Sequence, residues 1–323
     1  MNSIRRSPQT SDYSTMQHLR SLHDLSANDI RDILTLSGEI KSEVQSGTRS
    51  DRLAGRVLSL VFEKPSLRTR VSFEAGMAQL GGRGIFLSSK EAGLNGRESL
   101  ADVARVLSSY SDAIALRTFS QALIEEFAEW SGCPVINALS DDRHPCQALT
   151  DLFTIQEAFG TLEGVRIVYV GDGNNIAASL AIATSMLGMP MTFASPADYE
   201  LDADFLKALR DRHPGADLTV TNDVKAAVET ANVVYTDVWA SMGQEAESDS
   251  RQAVFRPFQV NQELMSLAPA DAKFMHDLPA HRGEEVTDEV IDGPQSLAFP
   301  QAENRMHIAK GLLVWLMNKS DKP

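Results

Sequence analysis

Val57-Leu58-Ser59-Leu60-Val61-Phe62, then Glu63-Lys64-Pro65-Ser66-Leu67-Arg68-Thr69-Arg70, then Val71-Ser72-Phe73-Glu74: these three consecutive pieces decide how the chain is read. The first is a short, almost unbroken apolar run, the pattern of a strand buried on both faces. Beyond the third, Phe73, Met77 and Leu80 recur at helical spacing until Gly81-Gly82 stops the pattern. Between strand and helix lie two hydroxyls and two guanidiniums at a helix start. A helix N-terminus offers unbonded backbone N–H groups and the positive end of a dipole, so it attracts anions. Arginine adds a forked donor that matches phosphate oxygens in pairs. An ordinary capped helix with solvated arginines fits the same residues, and the loop is not a P-loop.

Working outward, the chain has 323 residues, 43% of them apolar and 23% charged, as in a soluble protein with room for two domains, each with its own core. Its 44 acidic and 30 basic side chains leave a net charge of −14. That balance argues against nucleic acid or an anionic membrane surface as the main partner, and it makes a local arginine cluster stand out. Two cysteines, Cys133 and Cys146, are too few for a disulfide framework and suit a reducing compartment. The polar start shows no signal peptide, and no run approaches a membrane span, so a cytoplasmic location is expected.

The strand–loop–helix unit repeats along the chain. Ser26-Ala27-Asn28-Asp29 reads as a capping box before a helix with Ile30, Ile33, Leu34 and Ser37 on one side. Strands are expected at Gly84–Leu87, Asp112–Leu116 and Val135–Asn137, the second ending in Arg117-Thr118. His144-Pro145-Cys146-Gln147 then opens a helix that bridges the two halves. Strand–helix alternation restarts at Val165–Val170, followed by Gly171-Asp172-Gly173-Asn174-Asn175, and continues through strands ending near Ala194, Thr221, Asp237 and His276. A last helix is expected from about Arg305 to Asn318. The pattern predicts an α/β chain of two doubly wound domains, each a mostly parallel sheet flanked by helices. Ligands in such sheets sit at the carboxyl ends of strands. Ser66–Arg70, Arg117, His144–Gln147, Asn174-Asn175, Asp237 and His276–Arg282 all fall there, which predicts one site in the cleft between domains.

Three clusters invite chemistry of their own. Gly171-Asp172-Gly173 after a strand suggests dinucleotide binding, but Ile176 replaces the third glycine and no acid ends the next strand. His144 precedes a helix-opening proline, where the dipole favours a neutral imidazole able to donate to a carbonyl oxygen, or simply a cap. Asp237 suits an ammonium ligand and Ser241 a carboxylate, although a strand-end aspartate is also a common turn residue. His276, Asp277, His281, Glu284 and Glu285 suggest a metal, without the tight helical histidine pairing that would single one out.

Taken in order, Ser66-Leu67-Arg68-Thr69-Arg70, Arg117-Thr118, His144-Pro145-Cys146-Gln147, Asp237-Val238-Trp239-Ala240-Ser241-Met242-Gly243 and His276-Asp277-Leu278-Pro279-Ala280-His281-Arg282 resemble the signatures of ornithine carbamoyltransferases. The serine–methionine–glycine segment is the most specific part, since aspartate carbamoyltransferases share the phosphate site without it. The resemblance implies transfer of a carbamoyl group from carbamoyl phosphate to the side-chain amine of L-ornithine, giving L-citrulline and phosphate. It also implies a homotrimer with intersubunit sites, and no metal or organic cofactor. On that pattern residues 1–148 form the carbamoyl-phosphate domain, completed by the C-terminal helix over 305–323, and 149–304 the ornithine domain. Ser66, Leu67, Arg68, Thr69 and Arg117 would hold the phosphate, Leu67 through its backbone. His144, Gln147, Asp277, Leu278 and Arg305 would complete the carbamoyl-phosphate site, with His144, Gln147 and Arg305 holding and polarising the carbamoyl group. Asn175, Asp237, Ser241 and Met242 would hold ornithine, with Arg117, His144, Gln147, Asp237 and Asp277 forming the catalytic set.

Three positions depart from the family pattern. Leu67 stands where threonine is common, Gly93 where glutamine often reaches carbamoyl phosphate, and Asp277 in place of the usual cysteine beside ornithine. Lys90 or Asn95 is a candidate to replace the missing glutamine contact. The departures keep two other readings in play: transfer to another amine such as putrescine or a modified ornithine, and a catalytically silent ligand-binding relative. Ser241-Met242-Gly243 speaks against the first, and the intact Arg68, Arg117, His144, Gln147, Asp237 and Arg305 against the second.

Overall fold

The computed structural model describes residues 16–94, 96–240 and 248–320, with the side chains of Ser248 and Asp249 excepted. The first half runs α1 (Ala27–Gln45), β1 (Val57–Phe62), α2 (Leu67–Gln79), β2 (Arg83–Ser88), α3 (Leu100–Tyr110), β3 (Ala113–Arg117), α4 (Gln121–Trp130) and β4 (Val135–Leu139). Helix α5 (Pro145–Phe159) crosses to β5 (Ile167–Val170), α6 (Asn175–Leu187), β6 (Met191–Ala194), α7 (Ala203–Arg212), β7 (Leu218–Thr221), α8 (Val224–Val228) and β8 (Val233–Thr236). The chain finishes with α9 (Ser248–Phe255), α10 (Gln262–Leu267), β9 (Lys273–His276), α11 (Asp288–Ile291) and α12 (Ala298–Ser320).

The strands form two parallel sheets flanked by helices, in the orders β2-β1-β3-β4 and β7-β6-β5-β8-β9. Ser26 closes the expected capping box, accepting from the Asp29 N–H while Asp29 accepts from the Ser26 N–H. Such a cap stabilises a helix by about 1 kcal/mol. The final helix starts seven residues before the expected Arg305, because Gln301 and Asn304 turn inward as buried polar partners rather than as a loop.

The apolar runs are explained by burial on both faces. In β1, Leu58, Leu60 and Phe62 enter one cluster while Val61 enters another; in β5, Ile167 and Tyr169 face one way and Val168 and Val170 the other. The expectation of a separate core for each half meets a more continuous arrangement. The inner faces of both sheets drain into one apolar cluster through α5, α6 and α12. Smaller clusters lie under the outer faces. Residues 145–155 of α5 are all buried, and α12 packs on α1, α2 and α5. The two sheets are therefore wedged against shared helices, with their carboxyl ends converging on one cleft.

Candidate active site

The cleft has a volume of about 1090 Å³ and is lined from both sheets. Of the residues singled out from sequence, Ser66, Leu67, Arg68, Thr69, Arg117, His144, Gln147, Asn175, Asp237, Asp277, Leu278 and Arg305 all border it. Ser241, Met242 and Asn95 lie outside the described residues. Lys90 is exposed, Gly93 sits at φ 78° in its turn, and neither borders this cleft.

At one end, Ser66 caps α2: its Oγ accepts from the Thr69 N–H at 3.2 Å and donates to Thr69 Oγ1 at 3.0 Å. Arg117, at the end of β3, and Arg305, from α12, each reach Thr69 Oγ1 at 3.4 Å. Those are long, weak contacts. Arg68 and Arg305 make no ion pair among the described residues. Burial, with the charges of Arg305 and Arg68 close by, pushes Arg117 down to about 10. Burial also lowers Arg68, with Arg305 adding to the effect and Asp277 opposing it. Guanidiniums that depress one another beside the open N-terminus of α2 are poised for an anion.

His144 is the N-cap residue of α5, with Pro145 next, and makes no side-chain cap bond. Its backbone N–H donates to Ser179 Oγ at 2.8 Å, which ties the end of β4 to α6. Burial first, then the charges of Arg305 and Arg117, hold the imidazole well below its usual range and hence neutral. One turn on, Gln147 Nε2 donates to Asp151 Oδ1 at 2.8 Å.

The opposite end is acidic. Asp237 accepts from the Val238 N–H and from Asn174 Nδ2, each at 2.7 Å. Asn174 in turn caps α6, its Oδ1 accepting from the Ile176 and Ala177 N–H groups. Asn175, the amide expected to face a ligand, donates to the Ser140 carbonyl at 2.7 Å, so one edge of it staples the two halves. Asp277 lies close to Asp237, and burial together with that neighbouring negative charge raises its carboxyl well above the usual range. The adjacent His276 ring is committed on both sides: Nδ1 accepts from the Leu278 N–H at 2.9 Å and Nε2 donates to buried Glu285 at 3.1 Å. Atoms of Asp237, His276 and Asp277 come within 4.8 Å of one another, and so do those of His281, Glu284 and Glu285, two groups where the sequence suggested one.

Sequence reasoning passed over several lining residues. Arg251 pairs with Asp172 and donates to the Trp239 carbonyl at 2.6 Å, stacking over Tyr199 at 4.8 Å. Burial raises Asp172 to about 6, Arg251 opposing and Asp237 assisting. Lys64 pairs with Asp141 and lies 4.3 Å from the centre of the Phe119 ring. The glycines of Gly171-Asp172-Gly173 also find their reason here. A Cβ at Gly173 would lie 2.5 Å from the Leu201 nitrogen, so the residue is glycine to let that backbone pass.

Two family descriptions match the chain, one for each half. The family described as the carbamoyl-P binding domain of aspartate/ornithine carbamoyltransferase matches residues 17–157. The family described as the Asp/Orn binding domain of the same enzymes matches residues 163–316. An ornithine carbamoyltransferase of Anoxybacillus flavithermus is 51% identical over 92% of this chain and 95% of its own. An anabolic ornithine carbamoyltransferase of Pyrococcus furiosus is 48% identical over 93% and 96%. The solved ornithine carbamoyltransferase structure from Pyrococcus furiosus superimposes with a TM-score of 0.90, covering 94% of this chain and 97% of the other.

Proposed function

The chain belongs to the aspartate/ornithine carbamoyltransferase family, and on that premise we propose that its cleft transfers the carbamoyl group of carbamoyl phosphate to the side-chain amine of L-ornithine, releasing L-citrulline and phosphate. The observation that carries this reading is the polarity of the cleft. Arginines converge on the open start of α2 at one end, and two carboxyl groups meet at the other.

Ser66, Thr69, Arg68, Arg117 and the backbone at Leu67 hold the phosphate. Neutral His144, with Arg305, donates to the carbonyl oxygen, where negative charge builds as the amine attacks. Gln147 and Leu278 meet the carbamoyl amide. Asn175, Asp237, Ser241 and Met242 hold ornithine, and Asp277 lies beside its amino groups, the side-chain one neutral when it attacks. The amine nitrogen bonds to the carbonyl carbon, the bond from that carbon to the bridging oxygen breaks, and the phosphate takes the electron pair. The nitrogen then gives up one proton, which balances the reaction on the departing phosphate. Fixed donors aimed at developing charge are usually the largest catalytic contribution, and losing one costs about a hundredfold or more. Holding both reactants between two sheets supplies orientation.

The same reading assigns residues 1–148 with 305–323 to carbamoyl phosphate and 149–304 to ornithine, with a cytoplasmic location. Among the described residues no helix is long and apolar enough to cross a membrane. A homotrimer with shared sites accounts for the apolar side chains left in solvent beside the arginine loop: Leu67 is 76% exposed, Val71 49% and Ile85, on edge strand β2, 47%. A colorimetric citrulline assay with ornithine, putrescine, acetylornithine and aspartate tests the acceptor. Turnover confined to ornithine is expected; product from putrescine, or none from any acceptor, would contradict it.

A further inference from the structure

Gln147 borders the cleft, yet an amide can present either its oxygen or its N–H2 there, and the two would suit different ligands. The choice is made three residues away. The His276 backbone N–H, at the end of β9, can only donate, and it donates to Gln301 Oε1 at 3.0 Å. Gln301 Nε2 must then face the other way, where it donates to Asp151 Oδ1 at 2.7 Å and to the Tyr235 hydroxyl at 3.1 Å. Asp151 Oδ1 is an acceptor whether the carboxyl is ionised or neutral. It takes the Gln147 Nε2–H at 2.8 Å, leaving Gln147 Oε1 for the cleft. Asp151 and Gln301 are fully buried, and Gln147 is 3% exposed, so water does not compete for these bonds.

We propose that Asp151, oriented by Gln301, is a positioning residue that fixes Gln147 with its carbonyl oxygen toward the ligand, so that the site selects an acyl phosphate bearing an amide N–H2. This deepens the proposed function and rests on it. A buried acceptor of that kind rewards the amino group of carbamoyl phosphate and gives nothing to the methyl group of acetyl phosphate, which has the same shape and charge. The polarity is also relayed between the two ends of the cleft, since its fixed starting point is the residue next to Asp277.

The test uses the full-length enzyme and two constants, the KM for carbamoyl phosphate and the inhibition constant of acetyl phosphate against it. Asp151→Leu frees the Gln147 amide to turn, and the KM is expected to rise about tenfold while acetyl phosphate inhibition stays within about twofold. Asp151→Asn, whose Oδ1 accepts in the same place, is expected to keep both constants within about threefold of the parent. If Asp151→Leu does not fold, Gln301→Met releases Asp151 and is expected to show the same split. An unchanged carbamoyl phosphate KM, equal weakening of both ligands, or an Asn variant as impaired as the Leu variant would each overturn the proposal. Absence of citrulline from the parent enzyme would instead overturn the proposed function, so the two failures are separable.

Discussion

The two ends of the cleft are built on opposite electrostatic plans from the same kind of element. Both are strand ends followed by a helix start, β1 into α2 and β5 into α6. At the first, the N-cap Ser66 leaves the opening turn of α2 facing the cleft, and Arg117 and Arg305 touch Thr69 only at 3.4 Å. At the second, Asn174 caps α6 with one edge and holds Asp237 at 2.7 Å with the other. One end sets three guanidiniums beside the first turn of a helix, where an anion can bind. The other has firmly placed carboxyl groups that a cation can satisfy. The phosphate end thus gathers positive charge around a helix start, whereas the acceptor end holds its carboxyl groups in fixed geometry.

Removing Arg68 should break the contrast most severely. Arg68→Ala is expected to lower kcat/KM for carbamoyl phosphate by about a hundredfold or more with an unchanged circular dichroism spectrum. Near-normal turnover would show that the arginine end does not hold the phosphate. Asp237→Asn strikes the other end. A rise of about tenfold or more in the ornithine KM is expected, because a charge-assisted contact is lost, with the carbamoyl phosphate KM little changed; steady-state kinetics with each substrate varied in turn decides it.

Asp277→Asn sharpens the acidic half. The carboxyl of Asp277 is raised, so it is neutral at low pH and ionises only as pH climbs through that raised value. Ornithine affinity should therefore increase with pH along a limb that the Asn variant lacks. A pH profile of kcat/KM for ornithine that is identical in both proteins would remove Asp277 from the account. Folding follows the same sign. Ionising a carboxyl that the fold keeps protonated costs stability as pH rises above the unfolded value, so Asp277→Asn should gain most in Tm at alkaline pH. The smallest effect is expected at Leu67, which borders the arginine end without a hydroxyl to offer. Leu67→Thr should lower the carbamoyl phosphate KM by about threefold, the worth of one added hydrogen bond.

What sequence could and could not convey follows from the range of each interaction. Strand β1, the loop after it and α2 were legible because an unbroken apolar run, hydroxyls at a helix start and a glycine stop act over a few neighbouring residues. The convergence of Arg117, His144, Asp237 and Asp277 was legible from topology, since parallel strands carry their loops to one edge. The pairings Asp172 with Arg251 and Asp151 with Gln301 were not. They join residues 79 and 150 positions apart, and nothing in local periodicity says which way those side chains turn. The bond from one edge of the Asn175 amide was out of reach for a related reason: its partner is a backbone carbonyl, Ser140, that carries no signature in the sequence.

The contrast between the two ends is tested most directly by calorimetric titration of inorganic phosphate into the parent protein, Arg68→Ala and Asp237→Asn. Phosphate is expected to bind the parent and Asp237→Asn with closely similar affinity and to lose its binding to Arg68→Ala. Equal weakening in both variants, or phosphate binding that survives the loss of Arg68, would contradict it.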